Sequence, residues 1–106
     1  MQDSADISEL YQLLATVSQA SEVGIDLIIG RSRRLDNALI PRQMFCYIAR
    51  EKKKWTDLQI GTAIKHKRVT VFHSHKVVKT MLEEKVKDPK YVALAKRLGI
   101  LEENKL

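Results

Sequence analysis

WTDLQIGTAIKHKRVTVFHSHKVV, the sequence from Trp55 to Val78, decides the fold that we expect for this chain. Thr56, with Gln59 three residues later, has the pattern of a capping box and predicts the start of a helix. Trp55 is then placed to pack on Ile60 as a hydrophobic staple. The basic residues 65–68 follow this helix and predict a tight turn.

A second helix is expected to open at Val69, after the turn. Four residues at spacings of four, three and four are expected to form the buried side of this helix, with His75 at the edge of the core: Val71, His75, Val78 and Leu82. Four positions fall largely off this stripe and leave a face free for a partner: Thr70, His73, Ser74 and Val77. The first helix is expected to turn its apolar residues inward: Leu58, Ile60, Ala63 and Ile64. Two short helices joined by a basic turn are the layout of a helix-turn-helix DNA reader.

Charge is segregated along the chain. The formal net charge is +6, but residues 1–30 carry five acidic residues and no Lys or Arg. Residues 31–98 hold 18 Lys and Arg against 6 Asp and Glu, a net charge of +12. So uneven a field suits a polyanionic partner. The alternative interpretation is a solvated, Lys-rich surface that only keeps the protein soluble.

Length and cysteine content predict a small, single-domain protein without disulfide bonds. The 106 residues, 44% of them hydrophobic, are enough for one domain with a single core. The lone Cys46 cannot form an intramolecular disulfide and is predicted to be a core thiol. With no secretory pattern before the first apolar stretch, the chain is expected in the reducing cytoplasm, associated with the nucleoid. No apolar run approaches the roughly 20 residues that a bilayer requires.

The N-terminal third is predicted to hold two helical segments. The first runs from Ser4 to Val17, and residues 18–21 break it. Its core-facing stripe is Ile7, Leu10, Tyr11 and Leu14. The second and shorter segment runs from Glu22 to Ile29, and Gly30 is expected to end it in a left-handed conformation.

A basic arm, Arg31-Ser-Arg-Arg34, follows Gly30, and Asp36 is a suitable N-cap for the next helix. That helix is expected from Asn37 to Lys53 with Pro41 in its first turn, where the missing N–H costs little. Alternatively the helix starts at Pro41 and the arm is longer.

Weak strand-like alternation makes the predicted class all-α, a compact bundle of about five to six helices. A last helix is expected to start at Asp88-Pro89 and end at Gly99, with a buried side formed by Tyr91, Leu94, Ala95 and Leu98. The single domain 1–106 is divided into acidic N-terminal helices (1–30), a basic arm (31–36), a helix-turn-helix core (37–87) and a C-terminal helix (88–99).

Short motifs in a fixed order carry a family resemblance. After the basic stretch come Ile40-Pro-Arg-Gln-Met-Phe-Cys-Tyr-Ile-Ala-Arg50, Leu58-Gln-Ile-Gly61 and Thr70-Val-Phe-His73. Their order and spacing resemble the C-terminal DNA-binding domain of the bacterial replication initiator DnaA, over roughly residues 7–82. The resemblance implies a Trp-repressor-like fold that binds double-stranded DNA without catalysis, cofactor or nucleotide. It also implies a role in replication or transcription control in a bacterium or phage.

The resemblance further implies roles for single residues. Arg42 and Gln43 occupy the family's Arg-Gln, which grips backbone phosphate, and Arg50 falls where a basic residue does the same. Arg42 and Arg50 are eight residues apart and share a helix face, as two phosphate contacts along one strand of a DNA duplex require. Further contacts near the backbone fall on Thr56, Thr70 and His73. One arginine of the arm is expected in the minor groove: Arg31, Arg33 or Arg34. Which one is left open, because residues 35–37 resemble an insertion relative to the family's spacing between that arginine and Arg-Gln.

The turn departs from the family pattern. DnaA proteins carry Gly-Gly-Arg-Asp-His-Thr ahead of Thr-Val-Leu-His and read base edges with Asp, His and Thr, whereas this chain has the shorter Lys65-His-Lys-Arg-Val69. Lys65 and Lys67 are basic, Arg68 is suited to guanine O6 and N7, and Val69 is suited to a thymine methyl group. The expected target therefore differs from the usual initiator site.

Other classes of function are less well supported. A metal site from His66, His73, His75 and Cys46 is disfavoured, because His73 and His75 are two residues apart on a helix. No nucleophile–base spacing predicts an enzyme. Stacking on single strands is a minor option, since most aromatic residues are expected in the core: Tyr11, Phe45, Tyr47, Phe72 and Tyr91. The competing function is a protein-interaction module that keeps the fold without base readout and docks through its helices or its acidic first helix.

Overall fold

Six α-helices and no strand make up residues 3–30, 38–83 and 88–100, the part of the chain that the computed structural model describes, with side chains from residue 8 onward in the first range. The helices are α1 (Asp3–Ser21), α2 (Ile25–Ile29), α3 (Leu39–Glu51), α4 (Asp57–Ile64), α5 (Arg68–Glu83) and α6 (Pro89–Arg97). The all-α bundle predicted from the sequence is confirmed. The predicted arm with Arg31, Arg33 and Arg34, and its neighbours Asp36 and Asn37, lie outside the described residues.

Helix α1 continues past its predicted end at Val17. Ser18 and Ser21 lie within it. The Ser21 hydroxyl donates to the Val17 carbonyl one turn earlier at 2.7 Å, and the Ser18 hydroxyl donates to the Val23 carbonyl beyond the helix end at 2.6 Å. The helix ends where Glu22 takes a left-handed φ of 60°. The predicted stripe is wrong at Tyr11, which is 52% exposed.

Helix α2 is a single short segment that starts later than predicted. Gly30, after it, has φ −68° and ψ −177°, which is extended backbone, so the predicted left-handed ending is wrong. The reason is that the carbonyls of Leu27 and Ile28 are bonded to the side chain of Arg42. A left-handed C-terminal turn is not needed to satisfy them.

Helix α3 is the centre of the bundle and packs against each of the other five helices of the described chain. It is two residues shorter at its C-terminal end than predicted, and Pro41 lies in its first turn as expected. Nearly all its residues from Pro41 to Ala49 are buried. Cys46 is among them, and burial raises the pKa of its thiol to about 12, which makes it an unreactive core thiol.

Helix α6 begins and ends as the sequence predicts. Asp88 caps it by accepting from the Lys90 N–H at 2.8 Å, Pro89 is its first residue, and Gly99 after its end has φ +77°. Tyr91 and Leu94 are buried against the bundle. None of the described helices combines the length and the apolar character that crossing a membrane requires.

Candidate nucleic-acid interface

The start of α4 is fixed by the predicted capping box. The Gln59 N–H donates to the Thr56 hydroxyl at 3.1 Å, and the Thr56 N–H donates to Gln59 Oε1 at 3.0 Å. Trp55 and Ile60, the expected staple pair, are both buried. Thr56 itself is exposed at the surface, where the sequence placed a DNA contact.

A three-residue turn, Lys65 to Lys67, joins α4 to α5. Lys65 has φ 61° and ψ 44°, a left-handed conformation that ends α4, and the His66 N–H donates to the Gly61 carbonyl at 2.9 Å. A Cβ at Gly61 would lie 2.6 Å from the His66 carbonyl oxygen, so only glycine allows this close return of the chain. Helix α5 then begins at Arg68, one residue earlier than predicted.

Substituting Lys65 with glycine is expected to stabilise the protein by about 1 kcal/mol, because glycine adopts left-handed φ without the Cβ penalty that lysine carries. Urea unfolding followed by circular dichroism measures the change. Lys67→Gly is the matched control, since Lys67 lies in the same turn and is not among the residues with positive φ. Equal shifts of the urea midpoint for both variants would contradict the argument.

The predicted contact residues of the turn and of the first turns of α5 lie at the surface. Lys65, Lys67, Arg68, Val69 and His73 are exposed, and Thr70 is half-buried. Thr56, Arg68 and Val69 also line one open cleft of about 440 Å³, together with Asp57, Leu58 and Phe72. The structure therefore brings the N-terminal ends of α4 and α5 to a common surface.

Leu58 and Phe72 lie in this cleft and not in the core, so the predictions that buried them are wrong. Leu58 is two residues from Ile60, about 200° around the helix, and cannot share its inward face. Ser74 is the reverse case, because it is buried between Val71 and Val78 at spacings of three and four. The prediction that left Ser74 off the buried stripe is wrong.

Arg42 is a structural residue, which corrects its predicted role as a phosphate contact. Only 7% of the surface of this residue is exposed to solvent. Its Nε donates to the Ile28 carbonyl at 2.6 Å, and its Nη2 donates to the Leu27 carbonyl at 2.8 Å. Burial lowers the pKa of the guanidinium, although an arginine stays charged in proteins. The charge of Arg42 holds the end of α2 and is not offered to a ligand.

Arg50 joins three helices. Its Nε lies 3.2 Å from Asp57 Oδ1 at the start of α4, and its Cζ lies 5.3 Å from the centroid of the Phe72 ring on α5. Its Nη1 donates to His75 Nδ1 at 3.1 Å. Because a guanidinium can only donate, Nδ1 of His75 accepts and its Nε2–H donates to Glu51 Oε1 at 2.8 Å. That hydrogen bond lowers the pKa of the Glu51 carboxyl.

Gln43 is also bonded within the protein, since its Oε1 accepts from the Tyr91 hydroxyl at 2.6 Å. Both Gln43 and Arg50 keep part of their surface open to solvent. The phosphate contacts expected at these two positions stay predictions, and the structure adds a packing role for each.

His66 connects the turn to the residue that precedes the basic arm. Its Nε2 lies 3.0 Å from the Gly30 carbonyl oxygen, and since a carbonyl only accepts, Nε2–H is the donor. The sequence 31–34 begins directly after Gly30. Sequence reasoning missed this contact, because the two residues are 36 positions apart and no local pattern links them.

Among residues 8–30, 38–83 and 88–100, no three His, Cys, Asp or Glu side chains are grouped closely enough to hold a metal ion. Comparison of the chain with protein-family models, with curated proteins and with solved structures finds no match. The likeness to DnaA therefore depends on the sequence motifs alone.

Proposed function

We propose that this domain binds double-stranded DNA, with α4, the turn and α5 acting as a helix-turn-helix and without catalysis. The observation that carries the proposal is the His66–Gly30 hydrogen bond. It places the basic turn beside the point from which the basic sequence 31–34 continues. A helix-turn-helix whose arm enters the adjacent minor groove needs its basic turn close to the residue that precedes the arm in the sequence, and Gly30 is that residue.

The exposed charges near the turn also support DNA binding at this surface. The side chains of Lys65, Lys67 and Arg68, which flank His66 in the sequence, are all exposed. Cations in this arrangement neutralise phosphates and release counterions, which supplies affinity for any duplex. The charge of Asp57, the acidic residue of the cleft, is balanced by Arg50 at 3.2 Å. This pairing reduces the repulsion that a free carboxylate would exert on DNA.

In this proposal α5 lies in the major groove and residues Arg31, Arg33 and Arg34 serve the adjacent minor groove. Arg68 is the side chain suited to a guanine edge. The target differs from the usual initiator site, because the turn lacks the residues with which DnaA proteins read it. The motif resemblance implies a role in replication or transcription control.

Duplex affinity is expected to fall steeply with salt. Fluorescence anisotropy with a labelled duplex of about 20 base pairs, between 50 and 300 mM salt, gives the slope of log K against log [salt]. Replacing both Lys65 and Lys67 with alanine should reduce that slope by about 2, roughly one for each phosphate that is no longer neutralised. Lys90→Ala, which removes an exposed lysine on α6, is the matched control and should leave the slope unchanged.

No binding by the wild-type domain at 50 mM salt would overturn the proposal. The protein-interaction module would then be the better account of the fold. A slope change for Lys90→Ala half as large as that of the double variant would instead show a diffuse cationic surface, on which each exposed lysine contributes equally, without the α4–α5 site.

A further inference from the structure

Three apolar side chains gather on the surface proposed to face DNA. Leu58 is 60% exposed, Val69 55% and Phe72 42%. All three line the cleft of about 440 Å³ between the N-terminal ends of α4 and α5. Solvent-exposed apolar groups that are grouped in one place mark a binding surface.

The charges around the cleft favour a nucleic acid as its occupant. Arg68 lines the cleft, and Lys65 and Lys67 are exposed in the turn next to it. The acidic Asp57 is paired with Arg50. An apolar surface with a cationic rim fits a partner that has phosphates on its outside and apolar groups recessed between them. The C5 methyl groups of thymine, which lie in the major groove, are such groups.

Phe72 is held in a defined position within the cleft. The Arg50 guanidinium lies 5.3 Å from the centroid of its ring, and the His73 ring meets it edge-on at 5.7 Å between centroids. Arg50 itself donates to His75 Nδ1 at 3.1 Å and forms an ion pair with Asp57 at 3.2 Å, although without hydrogen-bond geometry to Asp57 Oδ1. A preorganised aromatic side chain loses little entropy when a ligand packs on it.

We infer that Leu58, Val69 and Phe72 form a methyl-binding surface that selects duplexes with thymine at the step contacted by α5. The inference rests on the proposed function and extends it, because it names the chemical group that is read and adds Leu58 and Phe72 to the reading residues. The three side chains, called the methyl pad below, need no hydrogen bond to discriminate. They favour thymine over any pyrimidine without the C5 methyl group.

Replacing thymine with deoxyuridine tests this directly. A duplex is first selected from a random pool by the wild-type domain and then synthesised with deoxyuridine at every thymine position. This change removes only the methyl groups and leaves the phosphates and the base-pairing edges intact. Affinity is expected to fall about fourfold for each methyl group that the methyl pad buries, with an unchanged salt slope.

Variants of the methyl pad should remove this difference. Leu58→Gln keeps the size of an exposed side chain and Phe72→Ala removes the ring, and each is expected to reduce the ratio of thymine to deoxyuridine affinities toward one. Leu58→Gln guards against misfolding, since Leu58 is outside the core. Tyr11→Ala, which removes an exposed aromatic ring on α1, is the matched control and should keep the full ratio.

The outcomes separate this inference from the proposed function. Equal affinity of the wild-type domain for the two duplexes overturns the methyl pad and leaves DNA binding intact. A ratio that survives in both Leu58→Gln and Phe72→Ala also overturns it, since the discrimination then lies elsewhere. Failure to bind any duplex at 50 mM salt overturns both proposals and points to a protein partner for the cleft.

Discussion

Arg42→Ala is expected to lower the free energy of unfolding by about 3 kcal/mol, one of the two largest effects that the structure predicts for a single substitution. The substitution leaves the carbonyls of Leu27 and Ile28 without their partner, and each unsatisfied buried acceptor costs about 1 to 3 kcal/mol. Urea unfolding followed by circular dichroism at 222 nm measures the decrease in stability.

Two further variants identify the cause. Arg42→Lys keeps the charge but lacks the planar fork that reaches both carbonyls, so it should recover little of the stability. Arg97→Ala is the matched control, because Arg97 also donates to a carbonyl, that of Ala20 at 3.0 Å, but from an exposed site. It should change stability by no more than about 0.5 kcal/mol.

The same variant decides between the role of Arg42 in the structure and the role that its motif implies. A phosphate contact would show as a salt slope reduced by about one, with stability almost unchanged. A structural residue gives a large loss of stability and a salt slope like that of the wild type in the folded fraction. An Arg42→Ala urea midpoint equal to that of the wild type would overturn the structural assignment.

Local chemistry explains which parts of the fold were predictable from the sequence. The Thr56–Gln59 capping box, the Asp88-Pro89 start and the Gly99 stop each depend on residues within three or four positions of one another. Such contacts are encoded in short segments, and all three are confirmed.

Long-range contacts explain what was missed. Arg42 is matched to the family's phosphate contact by motif, and only its position beside α2, 14 residues earlier, shows that its charge is used internally. The left-handed conformation predicted for Gly30 is wrong because of the same long-range contact. The side chain of Arg42 satisfies the α2 carbonyls, and the sequence around Gly30 gives no sign of it.

The candidate site shows the same division. Exposure of Arg68 and Val69 follows from helix periodicity, so the sequence could place them. The exposure of Phe72 could not be predicted in this way, because a large aromatic residue is usually buried. The residue that packs on its ring, Arg50, is 22 positions away in the chain.

Gly61→Val should be about as destabilising as Arg42→Ala, by about 3 kcal/mol, although Gly61 lies within a helix where glycine is normally a poor choice. Helix propensity alone predicts that Gly61→Ala stabilises by up to about 1 kcal/mol. The structure predicts the opposite sign, because the new Cβ would lie 2.6 Å from the carbonyl oxygen of His66. That oxygen belongs to the backbone of the turn and cannot rotate away as a flexible side chain would.

A series of substitutions in α4 tests the sign. Thr62→Ala is the matched control, since Thr62 is the next residue, is exposed and bonds only to the Leu58 carbonyl by its hydroxyl. It should be neutral or slightly stabilising, while Gly61→Ala and Gly61→Val should be progressively destabilising. Relief of the clash must displace the turn that carries His66 and Lys67. Under the proposed function, the folded fraction of Gly61→Ala should therefore also bind duplex more weakly than the wild type. A stabilised Gly61→Ala protein would show that the turn does not return as closely to α4 as the structure places it.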